Sequence, residues 1–243
     1  MTNKTLLIIP TYTEARMLLE KPNITVSQHS FYKPDDLSAN ILISGPGLPA
    51  SMMSMALHLE NNPGYHLIIM AGLAGSYSSK IKPGELVCVE AEKTADIGFL
   101  DKEKFHSLAS EEDWKSFYHN GVLINTFQTL MHETGLKNVS SNTVNVTNFN
   151  IQGKPDADIE NMEGAGFFML AQEKTIPFLE IRAISNYVSE RDKSKWETET
   201  ALTNLHAYLM DYLARINRPP AGRAGETQNP KNKPVPTNDG NAK

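Results

Sequence analysis

Six short apolar runs limit how this chain can fold: LLII (6–9), ILIS (41–44), HLIIMAG (66–72), ELVCVE (85–90), TVNVT (143–147) and FLEIRAIS (178–185). All are too short for an average helix and rich in β-branched residues, which suits strands buried on both faces. Several are followed by segments of helical character, notably 49–60 and 164–174. Strands alternating with helices make an α/β protein, with three layers around a twisted sheet. No internal repeat is visible, and the polar stretch 99–121 is equally compatible with a helix and a surface loop.

Leu202, Leu205, Leu209, Leu213 and Ile216 recur at helical spacing and mark the last packed element. Beyond it, five of the chain's 14 prolines fall in a segment with almost nothing apolar. Such a segment cannot offset the entropy of ordering its backbone, so a folded domain over 1–216 and a disordered tail over 217–243 are expected. A chain of 243 residues, 40% hydrophobic, can bury one substantial core. The formal charge is −5, and because the tail holds five basic against two acidic residues, the body stands at −8. An acidic body argues against nucleic acid as a partner. Cys88 is the only cysteine, so no internal disulfide can form and a reducing compartment is expected. No apolar run is long enough for a membrane span or a secretory signal, so a cytoplasmic protein without a membrane partner is expected.

In sheets of this kind ligands bind beyond the carboxyl ends of the strands. The residues found there are Glu14, 44–47, 72–76 (Gly75 among them), Ser185 and Asn186. The turn GPGLPA places Gly45, Gly47 and Ala50 at dinucleotide-binding spacing, but after the second run, and without an acidic residue ending the third to hold a ribose. A plain strand-to-helix turn, with Pro49 in the first helical turn, and a turn whose amides approach a sugar or anion use the same backbone. The seven histidines are scattered without ligand spacing, so no metal is expected. PDADIE, with Asp156, Asp158 and Glu160, lacks the glycine of a calcium loop and reads as a solvated acidic turn. Neither a P-loop nor a G-x-S-x-G elbow is present. No cofactor is implied.

IENMEGAGFFMLAQEKTIPFLEIRAISNYVSERDKSKW (159–196), supported by AGLAGSY, PGELVCVEAEKTADIG and the early Glu14, resembles the nucleosidase branch of the purine nucleoside phosphorylase superfamily. Within that branch the pattern is most similar to the futalosine hydrolase family. The likeness runs from about residue 6 to 196 and is poor over 102–142. Leu73 departs from it, standing where adenosine-type nucleosidases often carry a hydroxyl. The resemblance implies a three-layer αβα sandwich around a mixed sheet. It also implies hydrolysis of an N-glycosidic bond to purine, with hypoxanthine released from futalosine on the route to menaquinone. The substrates are a small nucleoside and water, and a homodimer or larger homo-oligomer is expected.

Cleavage of that bond passes through an oxocarbenium-like sugar, so the site must hold the ribose, place a water and help the base leave. By the resemblance, Glu163 holds the ribose hydroxyls, since a carboxylate only accepts and two vicinal hydroxyls both donate. A carboxylate stabilised at a helix start is the plain structural reading. Glu14 is the candidate base for the water, against a surface residue beside Arg16. Asn186 is the candidate for the purine edge, against a strand-end turn residue. Met162 packs on the sugar or fills a gap, and Gly75 and Ser185 complete the expected binding set. Arg182, inside a strand, is expected to pair with a carboxylate. Arg191 and Tyr77 either meet the far end of the substrate or lie at the surface. Three other functions stay open: a phosphorylase, which needs a cationic phosphate site; a methylthioadenosine or adenosylhomocysteine nucleosidase, expected to carry Asp at 186; and a nucleoside-binding module without turnover.

Overall fold

The structure is a computed structural model that describes residues 4–19, 30–34, 37–102, 104–111, 118–147, 156–188 and 192–217. The elements are β1 (Thr5–Ile9), α1 (Tyr12–Leu19), β2 (Phe31–Tyr32), β3 (Asn40–Ile43), α2 (Leu48–Asn61), β4 (Leu67–Ser76), β5 (Leu86–Thr94), β6 (Gly98–Asp101), β7 (Lys104–Ser107), β8 (Leu123–Ile124), α3 (Gln128–Glu133), β9 (Lys137–Thr143), β10 (Ile159–Asn161), α4 (Gly164–Glu173), β11 (Phe178–Tyr187) and α5 (Thr198–Ile216).

The main sheet runs β10-β9-β5-β11-β4-β1-β3-β2, and β8 adds to β5. It is mixed: β1 is parallel to β3 and β4, and β11 is parallel to β4 but antiparallel to β5. β10 also pairs with the end of β4, Ile159 opposite Ser76 and Glu160 opposite Gly75. β4, β11, β5, β9 and β10 therefore close into a ring that covers one half of the sheet's edge problem.

Side-chain alternation divides the core. Leu6, Ile8, Ile68 and Met70 face one layer with α2 and α4, while Leu7, Ile9, Ile69 and Ile181 face the other with α1, α3 and α5. This is the expected three-layer αβα arrangement. Phe167, Phe168 and Phe178 pack edge to face at 4.9–6.3 Å between ring centroids, tying α4 to β11.

Two local expectations are corrected. TVNVT is not a strand beyond Thr143, because the amides of Asn145 and Val146 donate to the Asp96 carboxylate instead of to a neighbouring strand. The strand is the more polar KNVSSNT just before it, in which Val139 joins the core while Ser141 and Thr143 meet Asn161 and Glu92. The stretch 99–121 is neither a helix nor a plain loop where described. It begins with the β6–β7 hairpin and a 3-10 turn at Leu108–Ser110. Apart from Asn217, the expected tail lies outside the described residues, as does Arg191.

Candidate active site

A cavity of about 410 Å³ opens at the carboxyl ends of the strands, where the α/β pattern places a ligand. Its wall includes Thr11 and Glu14 beyond β1, Leu73–Gly75 of β4, Asn161–Glu163 at the end of β10, and Ser185 with Asn186 of β11. Every residue expected at the site from the sequence, Glu14, Gly75, Met162, Glu163, Ser185 and Asn186, therefore lines one cavity. Trp196 and Val144 also contribute, without having been singled out by any motif.

Glu14 sits in the first turn of α1, an element whose existence the apolar runs do not reveal. Its carboxylate is buried, 8% exposed, and accepts from the Thr11 hydroxyl at 2.6 Å and the Leu73 amide at 2.9 Å. That rules out a surface position. Burial raises its pKa above the ordinary 4.5, and the nearby Glu163 charge adds to the shift. The bonds from Thr11 and Leu73, and the Arg182 charge, act in the opposite sense.

Glu163 is the N-cap residue of α4, yet its side chain makes no capping bond. The helix start is served instead by Asn161, whose Oδ1 accepts from the Glu163 and Gly164 amides at 2.8 and 2.7 Å, and by Thr143 Oγ1, which accepts from the Ala165 amide. The Glu163 side chain is thus turned toward the cavity. Its oxygens accept from the Gly47 amide at 2.9 Å and from Arg182 Nη1 at 3.2 Å. The GPGLPA turn, with Gly45 and Gly47 at φ of 89° and 80°, accordingly aims an amide at the protein's own carboxylate. α2 starts at Leu48 with Pro49 in its first turn.

Arg182 is fully buried and pairs with carboxylates, as expected of a strand arginine. Nε donates to Glu180 Oε1 at 2.7 Å, and Nη2 to Asn161 Oδ1 at 3.1 Å. Burial opposes its charge, but the Glu180 and Glu163 carboxylates more than compensate and its pKa is raised. Alternation puts Glu180 and Arg182 on one face of β11, where they enter the ring of strands. There Glu180 comes close to Glu92, the two carboxyls flanking the space a Cβ at Gly164 would occupy, and the charge of Glu180 disfavours that of Glu92. Glu92 in turn accepts from Thr143 Oγ1 at 2.7 Å and from Asn161 Nδ2. Burial raises the pKa of both, strongly for Glu92, so the pair retains a proton more readily than isolated carboxyls. This network of Glu92, Asn161 and Glu180 has no spacing signature. A buried carboxylate in an otherwise apolar strand is its one sequence trace.

The β11–β4 pairing slips between Ile184 and Asn186, a bulge at Ser185 that turns the strand end into the cavity. Ser185 Oγ donates to Asn186 Oδ1 at 2.7 Å, which orients the amide and presents Nδ2 as the donor. Nδ2 also donates to the Tyr187 carbonyl at 3.0 Å. Tyr77, assigned either to the substrate's far end or to the surface, is half-buried and donates to Glu160 Oε2 at 2.6 Å. The acidic turn reading fails for Glu160: Asp156 and Asp158 are exposed, but Glu160 belongs to β10, is 5% exposed and lines the cavity. Among the described residues no group of His, Cys, Asp and Glu is arranged to hold a metal, and no helix is long and apolar enough to cross a membrane.

The phosphorylase superfamily profile matches residues 7–214, and the chain belongs to that superfamily. Among curated relatives, the futalosine hydrolase of Thermus thermophilus is 32% identical over 197 residues, covering 74% of this chain and 84% of its own. The native structure of futalosine hydrolase from Helicobacter pylori superposes with a TM-score of 0.67 at 14% identity, over 88% of this chain and 98% of that one. The apo 5'-methylthioadenosine nucleosidase of Arabidopsis thaliana gives 0.68 at 17%, over 89% and 96%. Both structures share the fold.

Proposed function

We propose that the chain hydrolyses the N-glycosidic bond of futalosine, releasing hypoxanthine. The single observation that carries this reading is the Glu14 carboxylate, fixed by Thr11 and the Leu73 amide beside Arg182 and Glu163, in a cavity that the Asn186 amide also lines. Glu163 receives the 2′- and 3′-hydroxyls of the ribose, with Met162 against the sugar. Glu14 polarises a water under the anomeric carbon. As the C–N bond breaks and charge develops on the sugar, the water oxygen bonds to that carbon and its proton passes to Glu14. The electron pair of the broken bond leaves with the purine, where the Asn186 Nδ2 donor meets the accepting edge formed by O6 and N7, and the proton held by Glu14 passes through solvent to the purine nitrogen, giving neutral hypoxanthine and the free carboxylate.

Hydrolysis is favoured over phosphorolysis because, among the described residues, no Lys or Arg lines the cavity, and the nearby Arg182 is engaged by carboxylates. An amide at 186 favours a 6-oxopurine over a 6-aminopurine, which a carboxylate there would suit better. The similarity to three futalosine hydrolases supports the same choice. We further propose that the enzyme serves menaquinone synthesis in the cytoplasm, as a homodimer or larger assembly of folded 1–216 units.

The deciding experiment incubates the protein with futalosine, inosine and methylthioadenosine, with and without phosphate, and follows the free base by chromatography. Hypoxanthine from futalosine at a rate independent of phosphate is expected. Phosphate-dependent release would make it a phosphorylase. Adenine from methylthioadenosine at an equal rate would reject the futalosine assignment, and ligand-induced stabilisation without any free base would make it a binding module.

A further inference from the structure

Two histidines are buried among the described residues, and one of them touches the proposed base. His206, 4% exposed in α5, places Nε2 against the backbone carbonyl of Glu14 in α1. A carbonyl oxygen only accepts, so Nε2 carries the ring hydrogen and donates it. Nδ1 is then bare, and it meets no partner in its buried position. Burial lowers the ring's pKa below the ordinary 6.5, against the opposing pull of the Glu14 carbonyl, so the ring is neutral near neutral pH. A second proton would put an N–H where nothing accepts it. The Arg16–Glu199 pair also links α1 to α5, but its side chains are 43% and 75% exposed, and a surface pair of that kind contributes little.

The same helix holds the strand end that carries Asn186. The Glu197 amide, at the N-cap of α5, donates to the Ser185 carbonyl at 2.8 Å, and Ser185 Oγ in turn orients the Asn186 amide. Between Glu197 and His206, α5 is fixed to the sheet by the buried Ala201, Leu202 and Leu205. One rigid element therefore grips both the strand that carries the purine-side donor and the short helix that carries the base. We propose that His206 is a positioning residue that fixes Glu14 relative to Asn186 by tying the main chain of α1 to α5. This rests on the reading of Glu14 as the base, and names the group that sets its place. Thr11 and the Leu73 amide orient the Glu14 carboxylate, whereas His206 holds the main chain that bears it.

The test uses the full-length chain with futalosine as substrate. His206→Met fills much of the same space without a donor, whereas His206→Gln puts an amide Nε2 at the same number of bonds from the main chain. The Met variant should lose about tenfold in kcat with KM within about twofold of wild type, because a small displacement of the base affects the reacting step more than binding. The Gln variant should recover most of that loss. A Met variant with wild-type kcat, or a Gln variant as slow as the Met one, overturns the proposal. Because His206 acts through Glu14, His206→Met should cost nothing further in a Glu14→Gln background, and an undiminished tenfold loss there, about the size seen with the base in place, overturns it as well. The wild type supplies an arm that needs no variant. Ring nitrogen shifts measured by NMR should show His206 as the Nε2–H tautomer near neutral pH, and the Nδ1–H tautomer, which cannot donate to the Glu14 carbonyl, overturns the proposal. Failure of the underlying readings shows separately, as wild-type turnover in Glu14→Gln alone or as a wild type that releases no hypoxanthine.

Discussion

Arg182 faces Gly72 across the β11–β4 pairing, and its guanidinium occupies the space a side chain at 72 would need. A Cβ there would lie 2.9 Å from Arg182 Nη1 and 3.0 Å from Glu14 Oε1. The missing side chain is what lets the arginine and the proposed base approach the same spot. Gly72→Ala should therefore displace both groups. Overpacking a buried site costs about 1–3 kcal/mol, and denaturant melts should register that loss. Turnover should fall by roughly a hundredfold, the effect expected when a reacting group is misplaced by about an ångström. Wild-type melting and turnover in this variant would show that the strands accommodate the methyl group.

Glu14→Gln keeps the shape and removes the base, so turnover should drop by about a hundred- to ten-thousand-fold with substrate binding largely intact. The pH profile gives a second check. Glu14 must be ionised to accept a proton, and burial, reinforced by Glu163, raises its pKa above 4.5. The acid limb of kcat/KM should therefore lie above the ordinary carboxylate range, with activity rising as pH increases through it. A limb at or below 4.5 would exclude Glu14 as its source.

Glu163 is held by the Gly47 amide and Arg182 rather than by its own helix, which leaves it facing the cavity, where the proposed mechanism puts the ribose. Glu163→Ala should weaken both binding and turnover, and a 2′-deoxynucleoside should be a poor substrate of the wild type, by about tenfold or more for the lost hydrogen bond. Equal rates for ribo- and deoxyribonucleosides would show that Glu163 does not read the sugar.

Asn186→Asp replaces the oriented amide donor with an acceptor. The preference for futalosine over its 6-amino counterpart should shrink by about ten- to a hundredfold, or reverse. Competition between the two substrates in one reaction measures that ratio directly, and an unaltered ratio would move purine selection elsewhere.

Glu92→Gln tests the buried carboxyl pair through stability. Burial, and then the Glu180 charge, raise the Glu92 pKa well above 4.5, so the folded state binds the proton more tightly than the unfolded chain. The stabilisation is fully present below the unfolded value and is lost as pH rises through the raised folded value. A neutral amide has no such loss. Melting curves from pH 4 to 9 should show the variant less destabilised than wild type by rising pH, and parallel curves would mean that Glu92 does not titrate in this interval.

Much of the architecture was legible because alternating short apolar runs and helical segments leave an α/β chain few ways to bury both faces of its strands. Five of the six runs became strands near their expected bounds, and the leucines of α5 marked the last described helix. Glu14, Gly75, Met162, Glu163, Ser185 and Asn186 could be picked out because strand ends converge on one edge and the surrounding motifs resemble a known family. The strand at 137–143 and the buried position of Glu160 were not legible. Polar residues read as solvated when only their neighbours in sequence are considered, whereas here their partners come from other strands: Glu92 from β5, Thr143 from β9, Asn161 from β10 and Arg182 from β11. The sequence alone determined the layers and the edge at which the cavity opens, since periodicity and length are local properties. Tertiary structure alone decided which carboxylate faces an arginine, which faces a tyrosine and which faces the cavity, because the cost of burying a charge depends on partners brought together by folding.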